Sequence, residues 1–256
     1  PRPLETRLGS IELQVPKVRR GTYFPSFLQP RRRWEKAFVN VVAEAYVQGV
    51  STRSVEDLVE AMGAKGMSKS QVSRMSSVLD DQVEAFRSRP LGEKAMPYVW
   101  FDAMYLKVRE NKRVVSRAVL ISIGVNEDGE REVLSVTVVD KEMVSSWREF
   151  MRDLVTRGLR GVQLAISDAH EGLRAAICAV LNGVTWQRCY VHFIRNVLDK
   201  VPKSAQGFVA AALRNVFHQT SLEHAHEAMG KALEAIEQKW PRAAEVTRNA
   251  EDDVLA

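Results

Sequence analysis

Asp102 interrupts an otherwise apolar and aromatic strand-like run, Tyr98-Val99-Trp100-Phe101-Asp102-Ala103-Met104-Tyr105-Leu106. An ionised carboxylate is costly to bury there unless a cation or a hydrogen-bond network compensates it. Sixty-six residues on, Asp168 closes a second apolar run, Val162-Gln163-Leu164-Ala165-Ile166-Ser167. Two strand-borne carboxylates supply hard oxygen donors, the ligands a divalent cation takes when it assists displacement at a phosphodiester. Asp102 has an alternative as a buried aspartate held by hydrogen bonds, which requires a specific partner. Asp168 has one as a helix N-cap, because Asp168-Ala169-His170-Glu171 is also a capping pattern with Glu171 in the first turn.

Other chemistry-bearing residues are fewer. Cys189-Tyr190-Val191-His192 offers two soft ligands at a spacing found in zinc sites. Structural zinc takes four, and the remaining cysteine, Cys178, falls on the apolar face expected of a helix. His224 and His226, two apart on a helix, point in different directions. No flanking pattern supports a nucleophilic cysteine.

The elements that must position these residues begin after Pro90-Leu91-Gly92. Strand-like runs cover residues 98–108, 113–125 and 132–139, the last two joined by the turn signal Asn126-Glu127-Asp128-Gly129. Val144, Trp147, Phe150, Met151, Leu154 and Val155 recur at helical spacing up to Gly158. A strand at 162–167, a helix over 170–181, a strand at 184–190 and further helices complete the order βββαβαβα. Three meandering strands before the alternation match a ribonuclease H-like mixed sheet better than a doubly wound one. There is no Gly-rich phosphate loop to favour a nucleotide-binding fold. In that architecture the first and fourth strands are neighbours, so Asp102 and Asp168 would come within reach of a shared metal.

Ahead of Pro90 the pattern is all-α. Trp34, Phe38, Val41, Val42, Ala45 and Tyr46 form one helical stripe that stops near Gly49. Ser51 or Ser54 starts a second, with Val55, Leu58, Val59 and Met62 inward. Ser68-Lys69-Ser70-Gln71 is a capping box before a third stripe, Val72, Met75, Leu79, Val83 and Phe86. A short helix, a turn and a capped helix exposing Lys69, Ser70, Ser73 and Arg74 resembles a helix-turn-helix, and a plain three-helix bundle has the same pattern. Residues 1–33 form a Pro- and Arg-rich arm with one alternating stretch, Ile11-Glu12-Leu13-Gln14-Val15. Its basic clusters are Lys17, Arg19 and Arg20, then Arg31, Arg32 and Arg33. The expected organisation is a basic arm (1–33), a helical DNA-binding domain (34–89) and a ribonuclease H-like catalytic domain (90–256).

Charge supports that division. Residues 1–100 hold 16 Lys and Arg against 11 Asp and Glu, whereas the remainder holds 21 of each, so the whole excess of +5 precedes the aspartates. Such asymmetry suits an electrostatic handle for nucleic acid ahead of a neutral catalytic domain, although a solvated basic surface has the same composition. No apolar run approaches the roughly 20 residues of a membrane span. Two cysteines make no disulfide framework and point to a reducing cytoplasm. A start at Pro1 and an end on Glu251-Asp252-Asp253-Val254-Leu255-Ala256 are read as those of an internal piece of a longer protein.

Three blocks carry a family resemblance: Phe101-Asp102, the run Ser167-Asp168-Ala169-His170-Glu171-Gly172-Leu173, and the long run from Trp186-Gln187-Arg188-Cys189 through His192 to Asn196. Together with Gly9-Ser10-Ile11-Glu12-Leu13-Gln14-Val15-Pro16, they resemble the Mutator-type transposases of bacterial insertion sequences over nearly the whole chain. The resemblance implies a DDE-type enzyme on a ribonuclease H-like fold, using Mg²⁺ with Mn²⁺ as a substitute. Asp102 matches the first metal-binding aspartate and Asp168 the second. Cys189 and His192 match a Cys/His signature whose role the sequence does not disclose. The family's third acid lies in a later Glu-Arg block that nothing here matches, so the catalytic domain is expected to be incomplete at its C-terminus and inactive alone. Implied partners are double-stranded DNA, as terminal inverted repeats and target, and further copies of the full-length protein. The implied place is the bacterial cytoplasm, at the nucleoid and not in a membrane. A non-catalytic DNA-binding remnant and another ribonuclease H-like nuclease remain as alternatives.

If the arginine cluster grips phosphates, replacing Arg31, Arg32 and Arg33 with Ala weakens binding to all duplexes alike. It also flattens the slope of log affinity against log salt by up to about 2.7, at roughly 0.9 per lost contact. A salt titration followed by anisotropy that returns the original slope would remove the cluster from the DNA-binding surface.

Overall fold

The computed structural model describes residues 2–6, 9–14, 36–47, 52–61 and 80–256. They fall into two compact units, residues 1–87 and 88–256. In the first, β1 (Arg2–Thr6) and β2 (Gly9–Leu13) form an antiparallel hairpin in which Leu4 faces Ile11. The alternating stretch expected in the arm is thus the second strand of a pair. Helix α1 (Lys36–Val47) packs on α2 (Thr52–Ala61). Val42 and Val55 are buried, while Val41, Leu58 and Val83 are exposed, so the inner faces are narrower than the apolar stripes suggested. Arg31, Arg32 and Arg33, the capping box at Ser68–Gln71, and with it Lys69, Ser70 and Arg74, lie outside the described residues. Residues 80–88 are helical (α3).

The second unit is built on a five-stranded mixed sheet. β3 (Tyr98–Glu110), β4 (Arg113–Val125) and β5 (Arg131–Val139) meander antiparallel, and helix α4 (Val144–Thr156) crosses to β6 (Leu164–Ser167). Helix α5 (Glu171–Val180) then leads to β7 (Thr185–Arg188). The order is β5-β4-β3-β6-β7, with β6 parallel to β3 and β7 parallel to β6. This is the ribonuclease H-like arrangement, with the fourth strand beside the first.

Alternation decides which face is covered. Val99 and Phe101 of β3, Ala118 and Leu120 of β4 and Leu134 of β5 point into one core with Trp147, Phe150, Met151 and Leu154 of α4 and Leu173 and Ile177 of α5. Trp147 is its centre. It meets Phe101 and Phe150 edge-on at 6.3 and 5.7 Å between ring centroids, and its indole N–H donates to Glu142 Oε1 at 3.0 Å. The α4–β6 connection turns at Gly158, whose φ of +101° favours glycine and where a Cβ would crowd the backbone at 3.0 Å from Gly92 N. Leu91 N–H donates to Arg157 O at 2.7 Å and Met96 N–H to Arg160 O at 2.9 Å, fixing the lead into β3 beside the lead into β6.

The remaining helices, α6 (Tyr190–Leu198), α7 (Lys203–Val216), α8 (Leu222–Glu237), α9 (Pro241–Arg248) and α10 (Glu251–Val254), enclose a core of their own. Phe193, Val209, Leu213, Met229 and Ile236 lie in it. Among the described residues, no helix is long and apolar enough to cross a membrane.

Trp147→Ala should destabilise the second unit by about 3–5 kcal/mol, as deletion of a buried aromatic does, and Trp147→Phe by appreciably less. Urea unfolding followed by circular dichroism measures both, and equal losses would deny the indole its central place.

Candidate active site

The open face of the sheet carries the candidate site. On β3 the alternation that buries Val99 and Phe101 turns Trp100 and Asp102 outward, opposite Ile123 and Ile121 of β4. The Asp102 side chain is 60% exposed, and its Oδ1 accepts from the Ala103 N–H at 2.9 Å. The apolar run therefore does not bury its carboxylate. This corrects the expectation of a costly buried charge: the run is apolar on both faces, but only one is covered.

Asp168 follows β6 directly. The paired register ends at Trp100 and Ile166; continued by two residues it would bring Asp168 level with Asp102, although Asp168 does not line the cleft to which Asp102 belongs. Asp168 does not cap the following helix. The N-cap of α5 is His170, whose Nδ1 accepts from Leu173 N–H at 3.3 Å, while Asp168 Oδ1 accepts from His170 N–H at 3.1 Å. Gly172 makes this possible, since a Cβ there would lie 2.9 Å from the His170 ring. Ser167 anchors the strand end: its Oγ accepts from Trp186 Nε1 at 2.9 Å and donates to Asp168 O at 2.8 Å.

The Cys/His pair sits where a strand was expected to continue. β7 stops at Arg188 and Cys189 is the N-cap of α6, its N–H donating to Ser167 O at 2.6 Å and its carbonyl accepting from Phe193 N–H. The first of these bonds is the last rung of the parallel β6–β7 ladder, so the helix begins beside the end of β6. His192, in the first turn, brings Nε2 to 4.0 Å from Asp102 Oδ1. Its Nδ1 is buried with no hydrogen-bond partner. Asp102, Ser167, Cys189, Tyr190 and His192 line one cleft of about 380 Å³, with Trp100 and Ile123 as apolar wall and Arg131 as its cation. Cys178 lies elsewhere on α5 and is exposed rather than on the helix's inner face.

Two residues here escaped the sequence reading. Arg131 enters the cleft only through the β4–β5 register, which sets it opposite Val125. Arg188 lies half-buried at the end of β7. Burial lowers its pKa, and the charges of Asp253 and Asp168 partly oppose that. It remains a cation behind Asp168.

The donor set suits a hard divalent cation: two carboxylates on one sheet face, the nearer imidazole nitrogen 4.0 Å away from one of them and so no co-ligand as placed. Among the described residues no group of three or more Asp, Glu, His or Cys side chains is arranged to hold a metal. Two of the three acids of α10, Glu251 and Asp253, are engaged otherwise. His226 Nδ1 lies 2.8 Å from Glu251 Oε1, Arg174 Nη1 lies 3.4 Å from Asp253 Oδ1, and Gln187 Nε2 donates to Val254 O at 3.0 Å.

A ribonuclease H-like sheet with an aspartate on β3 and another directly after β6, its neighbour, defines the class. Within it, the family described as "Transposase, Mutator family" matches residues 1–256, and the chain belongs to that family. It is 44% identical over 256 residues to the transposase for insertion sequence element IS1081 of Mycobacterium tuberculosis, covering 100% of this chain and 62% of that protein. It is 40% identical over 232 residues to the transposase for insertion sequence element IS256 in transposon Tn4001 of Staphylococcus aureus, covering 91% and 60%. The chain thus spans about three fifths of the length of these curated relatives. Among solved structures it is similar to a Drosophila P element transposase strand transfer complex, at 11% identity and a TM-score of 0.38 over 83% of this chain and 63% of that one.

His170→Ala should lower stability by about 1 kcal/mol, the usual loss for a helix cap, whereas Asp168→Asn, which keeps an acceptor for the His170 amide, should be near neutral. Thermal melts of the two variants decide it, and the opposite ranking would return the cap to Asp168.

Proposed function

We propose that this chain is the core of a DDE-type DNA transposase of a bacterial insertion sequence, with Asp102 and Asp168 as its first two metal ligands. The single observation that supports the reading is the parallel β3–β6 register, which pairs Trp100 with Ile166, each two residues short of one of the aspartates. A divalent ion bound there, Mg²⁺ or Mn²⁺, would polarise the phosphate and activate the attacking oxygen. The chain's own residues have separate tasks. Asp102 and Asp168 present oxygens on a rigid strand pair, so their spacing is fixed before substrate arrives. Arg131 faces the same cleft and is suited to a phosphate oxygen. Cys189 latches the start of α6 to β6 through its backbone and so holds His192 next to Asp102. The reaction is strand cleavage and strand transfer at terminal inverted repeats, performed by a homo-oligomer of the full-length protein at the bacterial nucleoid. Arg31, Arg32, Arg33, Lys69, Ser70 and Arg74 serve as the DNA-binding handle.

The 256 residues alone are inactive in this proposal. A two-metal clamp needs a further carboxylate to fix the second ion, and Glu251 and Asp253 are held by His226 and Arg174.

The test is Mg²⁺- or Mn²⁺-dependent nicking of a terminal-repeat duplex by the 256-residue chain and by a version extended past Ala256. The extended version should nick, and Asp102→Asn in it should abolish nicking with DNA affinity nearly unchanged, because an amide is a poor ligand of similar shape. Cleavage that survives Asp102→Asn would remove it from the site. Robust nicking by the 256 residues, lost in Asp168→Ala, would place a third acid within them.

A further inference from the structure

The two central strands are longer than the sheet they belong to. β6 pairs with β3 only over Tyr98–Trp100, and β5 pairs with β4 only from Ala118 onward. Residues 106–117 are therefore a two-stranded ribbon projecting beyond the sheet, in register from Leu106↔Arg117 to Glu110↔Arg113. It closes at Asn111 and Lys112, both at positive φ (48° and 65°), as a tight two-residue hairpin requires.

The ribbon is cationic. Lys107 and Arg109 alternate onto one face, Lys112 stands at the tip and Arg113 on the other face, and all are exposed. None of the four cations has an ion-pair partner among the described residues. The fifth, Arg117, is taken up by Glu110 and Asp140. Its hydrogen bond to Glu110 holds that carboxyl below the ordinary range, so the ribbon's one acid stays ionised with its charge paired to Arg117.

We propose that this ribbon is a DNA-docking element of the second unit, gripping duplex phosphates through Lys107, Arg109, Lys112 and Arg113. The proposal rests on the transposase reading and adds a contact surface beyond the amino-terminal basic residues. A two-stranded ribbon fits the major groove of B-DNA, and cations on it neutralise the flanking phosphates. The ribbon is also continuous with the candidate site. Lys107 and Arg109 lie five and seven residues from Asp102, about 17 and 24 Å along the strand at roughly 3.4 Å per residue, on the opposite face of β3, whereas Arg113, paired with Glu110, lies on the Asp102 face.

The test replaces all four cations with Gln in the 256-residue chain and titrates a fluorescein-labelled mixed-sequence duplex over a range of salt. The expected result is binding weaker by about tenfold or more, with the log–log salt slope flattened by up to about 3.6. Lys112→Gln/Arg113→Gln, confined to the exposed tip, should flatten it by up to about 1.8 and serves if the fourfold variant melts early. If the unchanged chain binds and the folded variants match it in affinity and slope, the ribbon is not a DNA contact. If sedimentation shows instead that the variants lose a self-associated state while keeping their DNA affinity, the ribbon joins copies of this chain, and the proposal also fails. A chain that binds no duplex in any form would overturn the transposase reading itself.

Discussion

The parallel pairing of β6 with β3 is the constraint on which the rest of the second unit depends. Side chains on a strand alternate, so a slip of one residue in this register would move Ile166 and Asp168 to the covered face and Ala165 to the open one. The core prevents the slip. Val99 and Ala165, paired across the two strands, both point at α4 and α5, and a shift would drive a carboxylate among Trp147, Phe150 and Leu173. The hydrophobic face thus sets the position of the polar one. The backbone bonds around Gly158 and Pro97 act in the same sense by joining the starts of β3 and β6 before either strand begins.

Around that pair the structure uses short polar links where apolar packing gives no direction. Ser167 joins three segments, through Trp186 on β7, the Asp168 carbonyl and the Cys189 amide on α6. The His170 ring folds over Gly172 to cap α5, leaving Asp168 to its own turn. Each link is a hydrogen bond of about 1 kcal/mol net, small beside the core, yet each fixes an angle that hydrophobic burial leaves free.

The strand order was legible because each strand is a run of apolar residues bounded by turn signals, and because three meandering strands before alternating helices admit few topologies. Asp102, Cys189 and His192 were legible as residues out of keeping with their neighbours, and they share one cleft. The open face was not legible. Trp100, Ile121 and Ile123 read as core as readily as Val99 and Phe101 do, and what covers a face is a tertiary matter. The end of β7 was hidden because Trp186 to Val191 contains no Gly or Pro, and the strand ends where the Cys189 carbonyl accepts the first bond of α6 from Phe193. A histidine cap lies outside the usual Ser, Thr, Asp and Asn signal, so the aspartate two positions earlier drew the assignment. Arg131 and Arg188 owe their places to register and burial, which no local pattern encodes.

The crossover between β5 and β6 also fixes an order of events during synthesis. β3, β4 and β5 are joined by short turns and can pair as soon as they leave the ribosome, because hairpin contacts close small loops. The free edge of β3 then has no partner until α4 and β6 have followed. During that interval it presents unpaired amides and carbonyls on an apolar strand, the kind of edge that recruits other chains. The nascent chain is therefore most prone to aggregate just before Asp168 is made, and a ribosomal pause there would prolong the exposure.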